Sequence, residues 1–251
     1  MAGAVGRGGG GMRLIVLDFM QSFMWVWSGV LIKMFVHSFL GLGFHEPKAE
    51  AIKCVLSILN MFFFAYLGKI TKGATYNPLT VLASAISGDF SRFLFTVGAR
   101  IPAQASHQGV FGAITGVKLI IGTFPEIGRG PSLKVDIHRG ALTEGFLTFA
   151  IVMISLGLSR NIPGSFYRKT WISSVSKLSL HILGSDLTGG CMNPASVMGW
   201  AYARGEHLGK EHILVYWLAP MEATLLAVWT FKLLVQPPKE EKTNTKIKKS
   251  E

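Results

Sequence analysis

Apolar residues in this chain arrive in blocks, not in stripes. A helix that crosses a bilayer needs about 20 mostly apolar residues. Six stretches approach or meet that length: about Leu14 to Val36, Ala51 to Ile70, Ser91 to Ile121, Ile137 to Leu158, Lys169 to Leu187 and Glu211 to Val235. The third is interrupted by "GARIPAQ", and the fifth carries unusually many serines. Two shorter apolar runs remain, Pro78 to Gly88 and Pro194 to Arg204. Each is roughly 11 residues, about half a bilayer at 1.5 Å per residue. The pattern predicts an all-α membrane protein.

The order of parts repeats. Each half reads as a span holding an acid, a span, a short run opened by Asn-Pro, and a span holding a proline. Asp18 corresponds to Glu144, Asn77 to Asn193 and Pro102 to Pro220. Three spans per half is an odd number, so the halves enter the membrane in opposite orientations. That is an inverted repeat, with the functional site expected at the midplane between halves. The division is 1–12 as an N-terminal tail, 13–121 as the first repeat, 122–136 as a connecting loop, 137–236 as the second repeat and 237–251 as a C-terminal tail.

Composition supports the membrane reading. Charged residues make up 16% of the 251, against about 25% in soluble domains, and mean hydropathy is +0.40. The 29 glycines suit helices packed closely in lipid. The net charge of +11 does not point to nucleic acid, because the basic residues gather between spans and in the tail. With six spans, Arg7, Arg13, Lys69, Lys72, Arg160, Arg168, Lys169, Lys232 and the tail lysines share one side, which predicts that both termini are cytosolic. Cys54 and Cys191 give neither a disulfide framework nor metal spacing. The first apolar block is span-length, unlike a cleavable signal. "GRGGGG" lacks the Lys-Ser/Thr of a P-loop. No nucleophile–base pair or cofactor motif is present, so the chain reads as a non-enzyme with no cofactor and no metal.

The Asn-Pro pairs carry the chemistry. Asn favours the helix N-cap, and Pro favours the first turn. Non-helical backbone at membrane depth is tolerated only when buried in protein or lining a cavity. Two half-helices therefore meet near the midplane, each presenting the positive end of its dipole, roughly half an elementary charge. Such tips repel cations. The side-chain amides of Asn77 and Asn193 are placed to donate to a passing water and to interrupt proton relay, the barrier of aquaporin-type pores.

"YNPLTV" and "CMNPASV" resemble the paired boxes of the aquaporins, or major intrinsic proteins, and the likeness runs from about residue 13 to 236. The altered first box, with Leu79 where Ala is expected, and the basic charge resemble the second subgroup of plant small basic intrinsic proteins. The resemblance implies a bundle of six transmembrane helices plus two re-entrant half-helices, assembled as a homotetramer with one pore per subunit. Its boxes are Asn77, Pro78, Leu79 and Asn193, Pro194, Ala195. The family's offsets place the selectivity filter at Ser57, His181, Gly190 and Ser196. His181 fits the water-type pattern. Ser57 replaces an aromatic residue and Ser196 replaces an arginine, so a wider, less positive filter is expected. Leu79 is expected to crowd the midplane or shift the half-helix. Asp18 and Glu144 are expected to brace the loops that carry the boxes. Cys191 stands close to the filter.

The expected function is passive passage of water at a modest rate, with other small neutral solutes admitted, through a lipid bilayer. Two rivals stand beside it: a proton-coupled transporter using Asp18 and Glu144, and a non-conducting scaffold closed at Leu79. The tail ends in "KKSE". Lys248 and Lys249 resemble a dilysine retrieval signal, which places the protein in the endoplasmic reticulum membrane.

Overall fold

The computed structural model describes residues 5–86, 90–102, 117–119, 121–123, 125, 130–160 and 164–235. Helix α1 spans Val5–Met34 and ends in a π-turn over Phe35–Phe39. Helix α2 spans Pro47–Ile70, α3 spans Pro78–Ile86 and α4 spans Phe90–Phe95, continued by a π-turn over Thr96–Arg100. In the second half, α5 spans Ile137–Arg160, α6 spans Phe166–Gly184 and α7 spans Pro194–Arg204. Helix α8, Lys210–Ile213, runs through a π-turn over Leu214–Leu218 into α9, Ala219–Val235. No strand occurs among the described residues.

Among the described residues, four helices are long and apolar enough to cross a membrane: Gly11–Phe39, Pro47–Ile70, Ile137–Ser159 and Lys210–Val235. Helix α6 has 19 residues but carries Lys177, His181 and several serines, because one of its faces lines a cavity and not lipid. It also ends three residues before the expected Leu187. Much of the third expected span lies outside the described residues.

The two prolines that interrupt spans act alike. Pro102 and Pro220 each follow a π-turn by two residues. Proline has no N–H to donate, and its ring clashes with the carbonyl four residues back. Widening the preceding turn to π geometry accommodates the ring while the helix continues.

Burial runs opposite to that of a water-soluble protein. Leu142 is 74% exposed, Phe146 66% and Trp229 61%, while Asp18, Glu144, Thr148 and Thr224 are each 0% exposed. An apolar outside around a polar inside is what lipid selects. Helix α5 packs against α9 and α6, α2 against α6, and α1 against α2 and α7.

Candidate pore and its filter

Two re-entrant loops lead into α3 and α7. In the second, Glu144 on α5 is fully buried and receives three donors. Its Oε1 accepts from Thr188 Oγ1 at 2.6 Å and from Cys191 N–H at 2.9 Å, and its Oε2 accepts from Met192 N–H at 2.9 Å. Met192 has φ +47°, a left-handed backbone rare for a residue with a side chain. The bond to Glu144 holds it there. In the first loop, Asp18 on α1 accepts from Thr75 N–H at 2.9 Å and pairs with Arg100, at 2.7 Å from Nε and 2.9 Å from Nη2. Arg100 Nη2 also donates to the Gly73 carbonyl at 3.0 Å. The aspartate is one methylene shorter than Glu144, and Arg100 spans the remaining distance to the loop.

The tips of α3 and α7 touch. Asn77 Oδ1 accepts from Leu79 N–H at 2.9 Å, capping α3, and Asn77 Nδ2 donates to the Met192 carbonyl at 2.8 Å. Asn193 differs from the expected cap. Its side chain makes no capping bond, and both atoms of its buried amide lack a protein partner. Asn77 thus links the two boxes, while the Asn193 amide keeps its hydrogen-bonding capacity.

Ser57, His181, Gly190 and Ser196, placed by offsets from the two asparagines, line one cavity of about 430 Å³. His181 Nδ1 lies 3.1 Å from the Gly190 carbonyl. A carbonyl only accepts, so Nδ1 carries the hydrogen and Nε2 is left for the cavity. Gly190 has φ +52°, and a Cβ there would collide with the His181 carbonyl. Glycine is therefore required for this approach of loop to helix. Cys191 lines the same cavity as a free thiol.

A second cavity, of about 820 Å³, lies on the α3 side and is lined by Gln21, Thr75, Tyr76, Thr80, Ser159 and Ser173, among others. The two cavities share two wall residues, Met61 and Lys177. Lys177 Nζ donates to the Tyr76 hydroxyl at 3.0 Å. Asp18, Glu144 and Leu79 line neither cavity. Leu79 is 3% exposed and borders a gap too small for water, with Leu82, Ile101, Pro194, Trp217 and Met221 around it. Leu79 thus narrows neither cavity, and it packs where the start of α3 meets Pro194 of α7. Lys248 and Lys249 lie outside the described residues.

The family model for "Major intrinsic protein" matches residues 10–231. The chain belongs to the major intrinsic protein family. Among its relatives, "Probable aquaporin SIP2-1" of Arabidopsis thaliana is 59% identical over 239 residues, covering 95% of this chain and 99% of that one. "Aquaporin SIP2-1" of Oryza sativa subsp. japonica is 50% identical over 240 residues, with 94% of each chain covered. "Aquaporin SIP1-1" of Zea mays is more distant, at 36% over 235 residues, covering 92% and 95%. This ranking places the chain with the second subgroup of small basic intrinsic proteins. The X-ray structure of the aquaglyceroporin from Plasmodium falciparum matches with a TM-score of 0.66 at 16% identity, covering 90% of this chain and 98% of that one. That likeness concerns the fold, an aquaporin-like helical bundle. This member of the family is a multi-pass membrane channel and not an enzyme.

Sequence reasoning missed four contributors: Arg100, Thr188, Tyr76 and Lys177. A charge inside a span flags function. That signal singled out Asp18 and Glu144, and applied evenly it also reaches Arg100 and Lys177.

Proposed function

We propose that this channel passes water passively at a modest rate and admits other small neutral solutes. One observation carries the reading: Ser57, His181, Gly190 and Ser196 border a single cavity that abuts a second one at Met61 and Lys177. With Ser at two of these positions, the filter is polar and offers room that an aromatic and an arginine would fill. His181 Nε2 offers a hydrogen bond to solutes in file, whereas Asn77 and Asn193 border neither cavity, contrary to the expectation that their amides meet the passing water. The half-helix dipoles disfavour cations. The modest rate rests on the division of the passage into two cavities that meet at Met61 and Lys177, and not on Leu79. The transporter reading relies on Asp18 and Glu144, which border neither cavity and whose oxygens are engaged by loop donors and Arg100; Glu50, which does border the first cavity, pairs with Lys53 at 2.6 Å.

The remaining features of the proposal are a homotetramer, two inverted repeats over 13–121 and 137–236, cytosolic termini, and retention in the endoplasmic reticulum through Lys248 and Lys249. The repeats are supported by the paired π-turns and prolines and by the paired buried acids. Stopped-flow light scattering of reconstituted liposomes tests the pore. Shrinkage faster than in empty vesicles, with a low activation energy, is expected. Rates equal to empty vesicles with inserted, folded protein would refute it, and rates matching the fastest aquaporins would refute the modest part.

A further inference from the structure

Ser196 leaves the filter without the fixed positive charge that arginine would supply there. Several cationic residues border the passage, Lys33 and Lys53 in the first cavity and Lys72, Arg100 and Lys169 in the second, but among the described residues only Lys177 borders both. Lys177 lies four residues before His181 on α6, so both project from the same helix face. It borders both cavities. Its Nζ is tied to the Tyr76 hydroxyl at 3.0 Å and sits 4.8 Å from the ring centroids of both Trp25 and Tyr76. Those rings form a fixed platform. They stack at 4.0 Å with an interplanar angle of 7°, and Phe64 packs edge-on against each at 5.1 Å. Ser22 Oγ donates to the Tyr76 carbonyl, fixing the residue just before the first box. Among the described residues, no carboxylate lies within ion-pair distance of Lys177.

We infer that Lys177 is the charge-selective constriction of this pore. Its ammonium, held by the Tyr76 hydroxyl where the two cavities meet, excludes cations and interrupts proton relay in place of a filter arginine. The stacked rings fix the Tyr76 hydroxyl that holds the ammonium in place. Three N–H donors and no acceptor orient a passing water with its oxygen toward Nζ, which suits neutral solutes and repels cationic ones. The inference rests on the channel reading above.

The test uses full-length protein in pyranine-loaded liposomes, with water flux and potential-driven proton and potassium flux measured on the same preparation. Wild type is expected to pass water and stay as tight to protons and potassium as empty vesicles. Lys177→Met is expected to raise the ratio of cation to water flux at least tenfold, and Lys177→Arg to restore the wild-type ratio. If Lys177→Met does not reconstitute, Lys177→Gln carries the same test. A purely structural brace would lower thermal stability and leave the ratio of cation to water flux unchanged. Uncharged variants as tight as wild type, or an arginine variant as leaky as the methionine one, would overturn the inference. Wild-type vesicles without water flux would defeat the channel reading and this inference together.

Discussion

Glu144→Gln changes one oxygen into an NH₂ group at a site where three donors converge. Thr188 Oγ1 and Cys191 N–H share Oε1, and Met192 N–H uses Oε2. If the amide oxygen stays on the Thr188 side, its NH₂ faces the Met192 N–H, donor against donor. If the amide flips, the Cys191 N–H loses its acceptor. Either way one buried backbone donor is orphaned and one charge-assisted bond is lost, a cost of about 3 kcal/mol. For a chain of this length that corresponds to a fall in Tm of roughly 6–12 °C. The left-handed backbone at Met192 then has less to hold it, and the Asn77 bond to the Met192 carbonyl goes with it. Tryptophan fluorescence on heating in detergent gives the Tm, and stopped-flow shrinkage gives the flux. Both are expected to fall. A Tm within 1 °C of wild type would show that the loop keeps its shape without the carboxylate, and the bracing argument would be wrong.

Asp18→Asn leaves the half-buried Arg100, which borders the second cavity, without its counter-charge, at a cost of about 1–3 kcal/mol; Asp18→Asn with Arg100→Gln is expected to lose less than the sum of the single changes, as thermal melts can measure. Leu79→Ala removes buried apolar volume away from both cavities, so stability is expected to drop by about 2–5 kcal/mol with water flux per protein chain unchanged; a clear rise in flux would mean that Leu79 obstructs the pore. Ser57→Phe puts a ring into the cavity of about 430 Å³ and is expected to slow urea and glycerol swelling severalfold while sparing water. Lys248→Ala with Lys249→Ala is expected to move a fluorescent fusion to the cell surface; unchanged reticular fluorescence would place the retention signal elsewhere.

The half-helices were legible because Asn-Pro is a local signal, and its meaning comes from chain position. Pro78 and Pro194 open α3 and α7 as the pattern predicts. The fifth span was harder to read, since a pore-lining helix has a polar face that lowers its hydropathy. Offsets from Asn77 and Asn193 identify residues that share one cavity, because a re-entrant loop of fixed length leaves its neighbours little freedom. Leu79 was read from its size alone, and size does not say which side of a short helix a side chain takes. The Lys177–Tyr76 pair was hidden for a different reason. The two residues are 101 apart, and nothing local to either names the other.

The two loops reach similar ends by different means, and the difference is chemical. Glu144 spends its three acceptances on its own loop and needs no cation near it. Asp18 gives one acceptance to its loop and the rest to Arg100, whose guanidinium is 12% exposed. Planar geometry lets Arg100 hold the carboxylate with two nitrogens and still reach the Gly73 carbonyl. The first loop is thus fastened through a side chain on the π-turn that precedes Pro102, and any shift of that turn is passed to the loop carrying Asn77. The second loop is fastened to the rigid interior of α5. The first half-helix is therefore the one whose position an outside influence on the third span would change.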